Sequence, residues 1–139
     1  MLAILCEGES MKFLRKAKDG GPKSTVTGYW LAEIKSLFSI VLLKFEDGSR
    51  DEYHSHAFNS VNWILKGRVT EQVISPTMET KHLSASARPV LTPRERTHRV
   101  VSEGTTWVLS FRGPWAKTWQ EYNPRTWKWT TLGHGRVEQ

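Results

Sequence analysis

Short runs rich in β-branched and aromatic residues recur along most of this chain, and turn-prone residues separate them. Glu46-Asp47-Gly48, Glu103-Gly104 and Arg112-Gly113-Pro114 are three such turns. We predict strands at residues 26–34, 37–45, 61–66, 68–75, 89–91, 97–101, 105–111 and 117–122. No helical periodicity interrupts the series, and short strands in such a series are typical of a sandwich, a jelly roll or a small barrel. The expected fold class is therefore all-β.

The residues before the first predicted strand follow a helical pattern instead. Met11, Leu14 and Ala17 recur at intervals of three, and Asp19-Gly20-Gly21-Pro22 follows them as a helix breaker. We therefore expect a short amphipathic N-terminal helix at about residues 9–18. Its lysines and arginines would form a solvated basic face.

The composition fits a single folded domain spanning residues 1–139. Of the 139 residues, 38% are hydrophobic and 11% are aromatic, which suffices for one core but not for two. We place the barrel at about residues 25–131 and a C-terminal tail at about 132–139. The single cysteine, Cys6, excludes an internal disulfide and a thiolate metal cage, and no apolar run reaches the ~18 residues of a membrane span. A soluble, cytoplasmic protein is expected.

Three histidines have the spacing of a shared metal site. His54 and His56 are one residue apart, and side chains at i and i+2 of an extended strand point to the same face. His98 can complete the set from a neighbouring strand. Imidazole binds zinc, iron, nickel and copper, so the three histidines predict one divalent metal ion. His82 and His134 fall outside this pattern and are expected on the surface.

The residues around the first histidine pair follow a wider pattern. Five residues separate Gly48 from His54, and three residues separate His56 from Ser60. A further six residues lead to Gly67. With a glutamate in place of Ser60, this pattern is the first of two motifs that one superfamily of β-barrel proteins shares.

A second pattern surrounds His98. The run Pro93-Arg94-Glu95-Arg96-Thr97-His98, with Ser102 four residues later, corresponds to the second motif, which has glycine at its third position and asparagine at its last. On these motifs the chain resembles the cupin superfamily over about residues 45–111. The resemblance implies a double-stranded β-helix, or jelly-roll barrel, whose mouth holds a metal ion on the three histidines. It also implies a homodimer.

The missing motif glutamate narrows the chemistry that the resemblance implies. A neutral three-histidine face is similar to that of the thiol dioxygenases, iron(II) enzymes of the cupin superfamily, and it leaves coordination positions for substrate and oxygen. Iron(II) is thus the expected cofactor, with zinc or nickel as alternatives. That family carries Ser-x-His-x-Tyr on the strand after the third ligand, whereas the nearest positions here are Trp107, Leu109 and Phe111. We expect an apolar wall there, and the resemblance does not extend to thiol oxidation.

Arginines close to the predicted ligands bear on the substrate. Arg50, Arg94, Arg96 and Arg99 lie within a few residues of the histidines, and a guanidinium can hold a carboxylate or phosphate with two parallel hydrogen bonds. The alternative is that these arginines are exposed to solvent and bind no substrate. The formal net charge of +6 also favours acidic partners. We expect a small anionic substrate held by Arg50, Arg96 and Arg99, with its apolar part against the wall described above.

Other functions stay open at this point. The C-terminal part interleaves aromatic rings with cations, which suits a carbohydrate or a single-stranded nucleic acid. These residues are Trp115, Trp119, Trp127, Trp129, Lys117, Arg125 and Lys128. Trp127 and Trp129 would also fit one face of a strand that packs in the core or between two subunits. A metal-dependent isomerase or hydrolase would use the histidines without oxygen.

Asn59, Ser60 and Ser102 are candidate outer partners for the ligand imidazoles.

Overall fold

The computed structural model describes residues 12–21, 24–49 and 52–133. Every regular element in these ranges is a β-strand, which confirms the all-β fold class. The strands are β1 (Lys12–Lys18), β2 (Val26–Ile34), β3 (Phe38–Phe45), β4 (Tyr53–His54), β5 (Ser60–Ser75), β6 (Glu79–Ser84), β7 (Val90–Thr92), β8 (Thr97–Arg112), β9 (Thr118–Asn123) and β10 (Lys128–Gly133). No helix long and apolar enough to cross a membrane occurs in the described ranges.

The predicted N-terminal helix is not formed over the residues that the structure describes. Lys12–Lys18 is strand β1, which pairs antiparallel with β2 and places Ala17 opposite Gly28. Leu14, expected on the buried face, is 83% exposed. A helix this short is marginal on its own, so hydrogen bonding along the edge of β2 overrides the local pattern. The barrel consequently begins before residue 25; residues 9–11 of the predicted helix lie outside the described ranges.

Two long strands form the centre of the sheet. β5 and β8, each of 16 residues, pair antiparallel over nearly their whole length. The C-terminal half of β8 also pairs with β3, while His98 near its start pairs with β4. β1 and β2 continue the sheet beyond β3, and β9 and β10 continue it beyond β4. The sheet therefore curls, and residues that alternate along β5 and β8 face a common interior.

The apolar core forms one wall of that interior. Its fully buried members are Trp30, Val41, Leu43, Ile64, Val69 and Val108. All of them except Val41 also line an internal cavity of about 440 Å³. Packing therefore fills only part of the barrel and leaves room for a small molecule.

Gly67 allows β5 to bend where β8 passes close to it. Its φ is +96°, and an added Cβ would lie 2.6 Å from Oγ1 of Thr106 and 2.7 Å from the carbonyl oxygen of Thr105. A Gly67→Ala variant should therefore lose about 3 kcal/mol of unfolding free energy through backbone strain and steric overlap. Chemical denaturation measures this loss.

Gly104 offers a matched control for that prediction. Its φ is +66°, but an added Cβ would meet nothing within 4 Å. Gly104→Ala should therefore cost only the backbone term, about 1 kcal/mol. Equal losses in the two variants would contradict the close approach at Gly67.

Candidate metal centre

Strand register brings the three predicted ligands together. His54 on β4 is paired directly with His98 on β8. His56 follows His54 by two residues, in the loop that leads to β5. The candidate metal centre is thus built from one strand pairing and the loop next to it.

The three imidazole rings converge on one point. Their centroids lie 4.9 Å apart for His54 and His56, 5.0 Å for His54 and His98, and 5.1 Å for His56 and His98. One ring nitrogen of each lies within 4.8 Å of the others, and the Nε2 atoms of His56 and His98 are 3.0 Å apart. Metal–imidazole bonds of about 2.1 Å place neighbouring ligand nitrogens roughly 3 Å apart, so the set fits one ion after a small inward movement.

A buried carboxylate that the sequence analysis missed stands behind the third ligand. Oε2 of Glu71 accepts a hydrogen bond from Nδ1 of His98, and Glu71 is only 2% exposed. With the proton on Nδ1, the lone pair of Nε2 points toward the other two imidazoles, as a metal ligand requires. Glu71 lies between the buried residues Val69 and Val73 on β5, and a charged residue at such an inward position is the signal that would have identified it.

Two opposing influences act on the Glu71 carboxyl group. Burial alone would raise its pKa, but the hydrogen bond from His98 and the charges of His98, Arg96 and Lys81 lower the pKa below its ordinary value. Glu71 is therefore a carboxylate at neutral pH. Its Oε1 lies 3.4 Å from Nη1 of Arg96, which places a positive charge behind the histidine–carboxylate pair.

Two of the arginines predicted to bind substrate, Arg96 and Arg99, lie outside the cavity lining and contact other protein groups. Arg96 contacts Glu71 and donates to the carbonyl oxygen of Leu91 at 3.3 Å. Arg99 donates from Nε to Oε1 of Gln72 at 3.0 Å and lies over the ring of Tyr53. Neither Arg96 nor Arg99 lines the cavity, and Arg50 lies outside the described residues.

The expected apolar wall on β8 lies on its other face. Trp107 packs near Tyr29, and Phe111 is 41% exposed against Trp63, while Leu109 shares their side of the strand. The cavity is lined instead by the alternate residues, Val108, Ser110 and Arg112. Adjacent residues of a strand point to opposite faces. The interior therefore contains the hydroxyl of Ser110 and the guanidinium of Arg112 where the sequence predicted large apolar side chains.

Aromatic rings extend from the histidines along the cavity wall. The ring of Phe58 lies 5.1 Å from that of His56 and 5.4 Å from that of Trp115, which in turn lies 5.6 Å from Trp119. All four of these residues line the cavity. The site therefore combines three imidazoles with an apolar surface suited to a small organic molecule.

Solved structures resemble this one in fold. An RmlC-like cupin from Shewanella frigidimarina superposes with a TM-score of 0.57 at 18% identity, over 76% of this chain and 93% of its own. Iron(II) HppE in complex with substrate gives a TM-score of 0.59 at 12% identity, over 78% of this chain and 62% of its own. The polyketide cyclase RemF from Streptomyces resistomycificus gives 0.59 at 14% identity, over 72% and 73%. The chain has the cupin fold.

This result confirms the fold that the two motifs implied. Comparisons with protein-family models and with curated proteins find no match, so the cupin assignment depends on the architecture. Ser60, at the place of the motif glutamate, is buried, lines the cavity and accepts a hydrogen bond from Asn62 at 3.0 Å. The carboxylate of Glu71 contacts the imidazole of His98 and is not one of the groups that converge on the candidate metal position.

The three candidate outer partners make hydrogen bonds to groups other than the three histidines. Oδ1 of Asn59 accepts from the backbone of Arg94 at 2.7 Å. The hydroxyl of Ser102 donates to the carbonyl oxygen of Gly104 at 2.6 Å, and Ser60 contacts Asn62 as described above. Sequence proximity to the ligands therefore pointed to the wrong residues, because the partner of His98 comes from the neighbouring strand.

The tryptophans of the C-terminal part have two kinds of surroundings in the structure. Trp115 and Trp119 line the cavity, whereas Trp129 packs on Tyr122 with centroids 4.9 Å apart. Trp127 is 82% exposed, has a φ of 60° and precedes β10. The predicted strand alternation of Trp127 and Trp129 is therefore not formed, since Trp127 belongs to the turn between β9 and β10.

Proposed function

We propose that this protein is a metal-dependent oxygenase that uses iron(II) and acts on a small anionic molecule inside the barrel. The observation that carries the proposal is the convergence of His54, His56 and His98 on the wall of a cavity of about 440 Å³. A structural metal site has all its coordination positions filled by protein groups. A site that opens into a cavity leaves room for a reactant beside the ion.

The three imidazoles would hold the ion, and the residues around them would prepare the site. Iron(II) on three neutral nitrogens keeps open coordination positions and supplies redox chemistry with oxygen. Glu71 keeps the proton of His98 on Nδ1 and fixes the orientation of its ring. Phe58, Trp115 and Trp119 exclude water from one side of the cavity and provide contacts for the apolar part of a substrate.

The charge of the cavity supports an anionic substrate. Its lining includes four cationic side chains, those of Arg15, Lys18, Lys35 and Arg112. The lining also includes two carboxylates, Asp19 and Glu71. A divalent ion on neutral histidines would add to this excess, and positive charge in a partly desolvated cavity attracts carboxylates and phosphates.

One of the similar structures supports metal chemistry, but together they do not choose the reaction. HppE is an iron(II) protein that was solved with its substrate, which favours iron and a small-molecule ligand here. RemF is a polyketide cyclase with the same TM-score, which favours a second candidate in which the metal-dependent reaction needs no oxygen, such as an isomerisation or hydrolysis. One fold hosts many reactions, so measurement has to decide between the two.

A non-catalytic function has one supporting observation. Trp127 is 82% exposed in a turn that also contains Arg125, an arrangement that can stack a sugar or a base, or contact a second copy of the chain in a homodimer. Under that proposal, loss of the three histidines would leave binding unchanged. Under the oxygenase proposal, the same loss would abolish turnover.

Metal loading tests the oxygenase proposal. The protein is purified anaerobically, stripped with a chelator and reloaded separately with iron(II), zinc or nickel. We expect about one ion per chain, with oxygen consumption only in the iron-loaded form when a panel of small aromatic and aliphatic carboxylates and phosphonates is supplied. Elemental analysis and an oxygen electrode provide the readouts. Turnover that proceeds equally with zinc and without oxygen would transfer support to the isomerase or hydrolase.

A further inference from the structure

A buried arginine lies inside the same cavity as the histidines. Arg112 at the end of β8 has a side chain only 2% exposed. Its Nη2 lies 2.7 Å from Oδ2 of Asp19, its Nη1 lies 3.4 Å from Oδ1 of Asp19, and its Nε lies 3.4 Å from Oγ of Ser110. The guanidinium carbon also lies 4.6 Å from the centroid of Phe58. Arg112 is thus one of the cationic side chains that line the cavity, and its guanidinium is nearly enclosed by protein atoms.

The indole of Trp30 offers a second donor in the same region. Trp30 is 4% exposed, lines the cavity and has its ring centroid 6.0 Å from the guanidinium carbon of Arg112. Its Nε1 is buried and has no hydrogen-bond acceptor among the described residues. An unsatisfied buried donor costs about 1–3 kcal/mol, so an oxygen atom supplied by a ligand would be stabilising there.

The distance to the metal centre limits the size of such a ligand. Phe58 neighbours both sites, since its centroid is 5.1 Å from the His56 ring and 4.6 Å from the guanidinium carbon of Arg112. The His56 ring and the guanidinium can therefore be at most about 10 Å apart. A molecule of one small ring with one charged group would contact both.

Asp19 holds the place that such a charged group would take. It follows β1 directly, is held by a backbone hydrogen bond to Val26 at 2.9 Å, and its side chain is 26% exposed. A guanidinium has five N–H donors in a planar fork and binds carboxylates in pairs of parallel bonds. The Asp19 carboxylate is thus an internal anion at the site where an external oxyanion would bind.

We propose that Arg112 and Trp30 form an oxyanion subsite that binds the carboxylate of the substrate, and that Asp19 competes with that carboxylate for Arg112. The inference rests on the proposed function in treating the cavity as the substrate chamber. It defines the substrate class as a small molecule with an apolar body against Phe58, a terminal carboxylate at Arg112 and its reacting end toward the histidines.

Binding of benzoate to the metal-free protein tests this subsite directly. Benzoate carries a planar carboxylate on one apolar ring, and benzamide is its neutral counterpart of the same shape. Isothermal titration calorimetry or quenching of tryptophan fluorescence gives the dissociation constants. We expect benzamide to bind at least about tenfold more weakly than benzoate, since charge-assisted bonds to arginine are the stronger ones.

Three substitutions are expected to change the affinity for benzoate, two of them lowering it and one raising it. Arg112→Gln should weaken benzoate binding by about 10- to 100-fold, and Trp30→Phe should weaken it by about three- to tenfold. Asp19→Asn should strengthen it by about fivefold or more, because the competing carboxylate is gone. The surface pair of Arg68 and Glu103, 3.4 Å apart and 72% and 63% exposed, supplies matched controls in Arg68→Gln and Glu103→Gln, which should change nothing.

The Asp19→Asn result separates a binding site from a structural ion pair. If the pair only stabilises the fold, Asp19→Asn will leave benzoate affinity unchanged or lower it, and the subsite is then refuted. This variant also decides the matter if Arg112→Gln does not fold. Equal affinity for benzamide and benzoate would refute the subsite as well.

A His56→Ala variant distinguishes this inference from the proposed function. The subsite predicts that metal-free His56→Ala binds benzoate as the unmodified metal-free protein does. Retained benzoate binding without any oxygen-dependent turnover would leave the subsite intact and refute the oxygenase alone. Loss of benzoate binding in His56→Ala would refute the placement of the carboxylate at Arg112.

Discussion

A His56→Ala variant is expected to lose its bound metal while the barrel stays folded. Removal of one imidazole leaves two nitrogen donors, which is below the three that mononuclear catalytic sites usually provide. His56 lies in the loop after β4, outside the strand pairings, and is only partly buried, so its removal should alter few packing contacts. Metal content after loading should fall from about one ion per chain to a small fraction of that, while circular dichroism and the unfolding midpoint change little.

The other two ligands are less informative for this test. His98 is 5% exposed and bonded to Glu71, so its removal would take one hydrogen-bond partner from a buried carboxylate that also contacts Arg96, and would lower stability as well as metal affinity. His54 lies within the pairing of β4 with β8 and β9, where replacement by alanine would also remove cross-strand side-chain contacts. His56 is therefore the ligand whose loss reports on the metal alone.

His82 offers a matched histidine control. It lies exposed on β6, where its Nδ1 is 3.2 Å from Oγ1 of Thr70, and it is not one of the three converging residues. His82→Ala should keep full metal content. If His56→Ala binds as much metal as His82→Ala, the ion sits elsewhere and the assigned centre is wrong.

The histidine group could be predicted because it depends on local geometry. Two side chains at i and i+2 share a face of any extended segment, so His54 and His56 had to point the same way. The contribution of His98 followed from a family motif and is confirmed in position by its pairing with His54. The strand series could be predicted for the same reason, since alternation and turn residues are local signals.

The faces of β8 could not be assigned correctly from the same signals. Sequence patterns normally place large apolar residues toward the interior, and Trp107, Leu109 and Phe111 fit that expectation. This barrel encloses a cavity with polar groups, so the inward face carries Ser110 and Arg112 instead. The hydrophobic pattern therefore pointed to the other side of the strand, because the interior that β8 faces is a partly polar cavity and not a filled apolar core.

Glu71 could not be paired with His98 from the sequence because the contact depends on register between distant strands. β5 and β8 place Val73 opposite His98, so the inward side chain of Glu71, two residues earlier, reaches the imidazole diagonally. A shift of one residue would turn that carboxylate to the outside. The inward position itself was detectable, but its partner was not.

The second large effect is expected from Glu71→Gln. The amide can still accept a hydrogen bond from His98, but it lacks the negative charge that strengthens that bond and increases the basicity of the ligand. We expect metal affinity to fall by about 10- to 100-fold, the usual effect of losing an outer partner of a ligand histidine. Competition with a chelator of known affinity measures the change, and Glu71→Ala should lower affinity further because it also removes the acceptor.

A second buried glutamate separates this effect from a general loss of stability. Glu33 is 1% exposed, and its carboxylate accepts hydrogen bonds from Arg15 at 3.1 Å and Ser39 at 2.9 Å. Glu33→Gln should lower the unfolding free energy, as expected for a buried ion pair that loses one charge, but it should leave the metal dissociation constant unchanged. Of these two glutamates, Glu71 is the one that contacts the imidazole of His98. A similar loss of metal affinity in both variants would therefore show that Glu71 acts through the fold and not through His98.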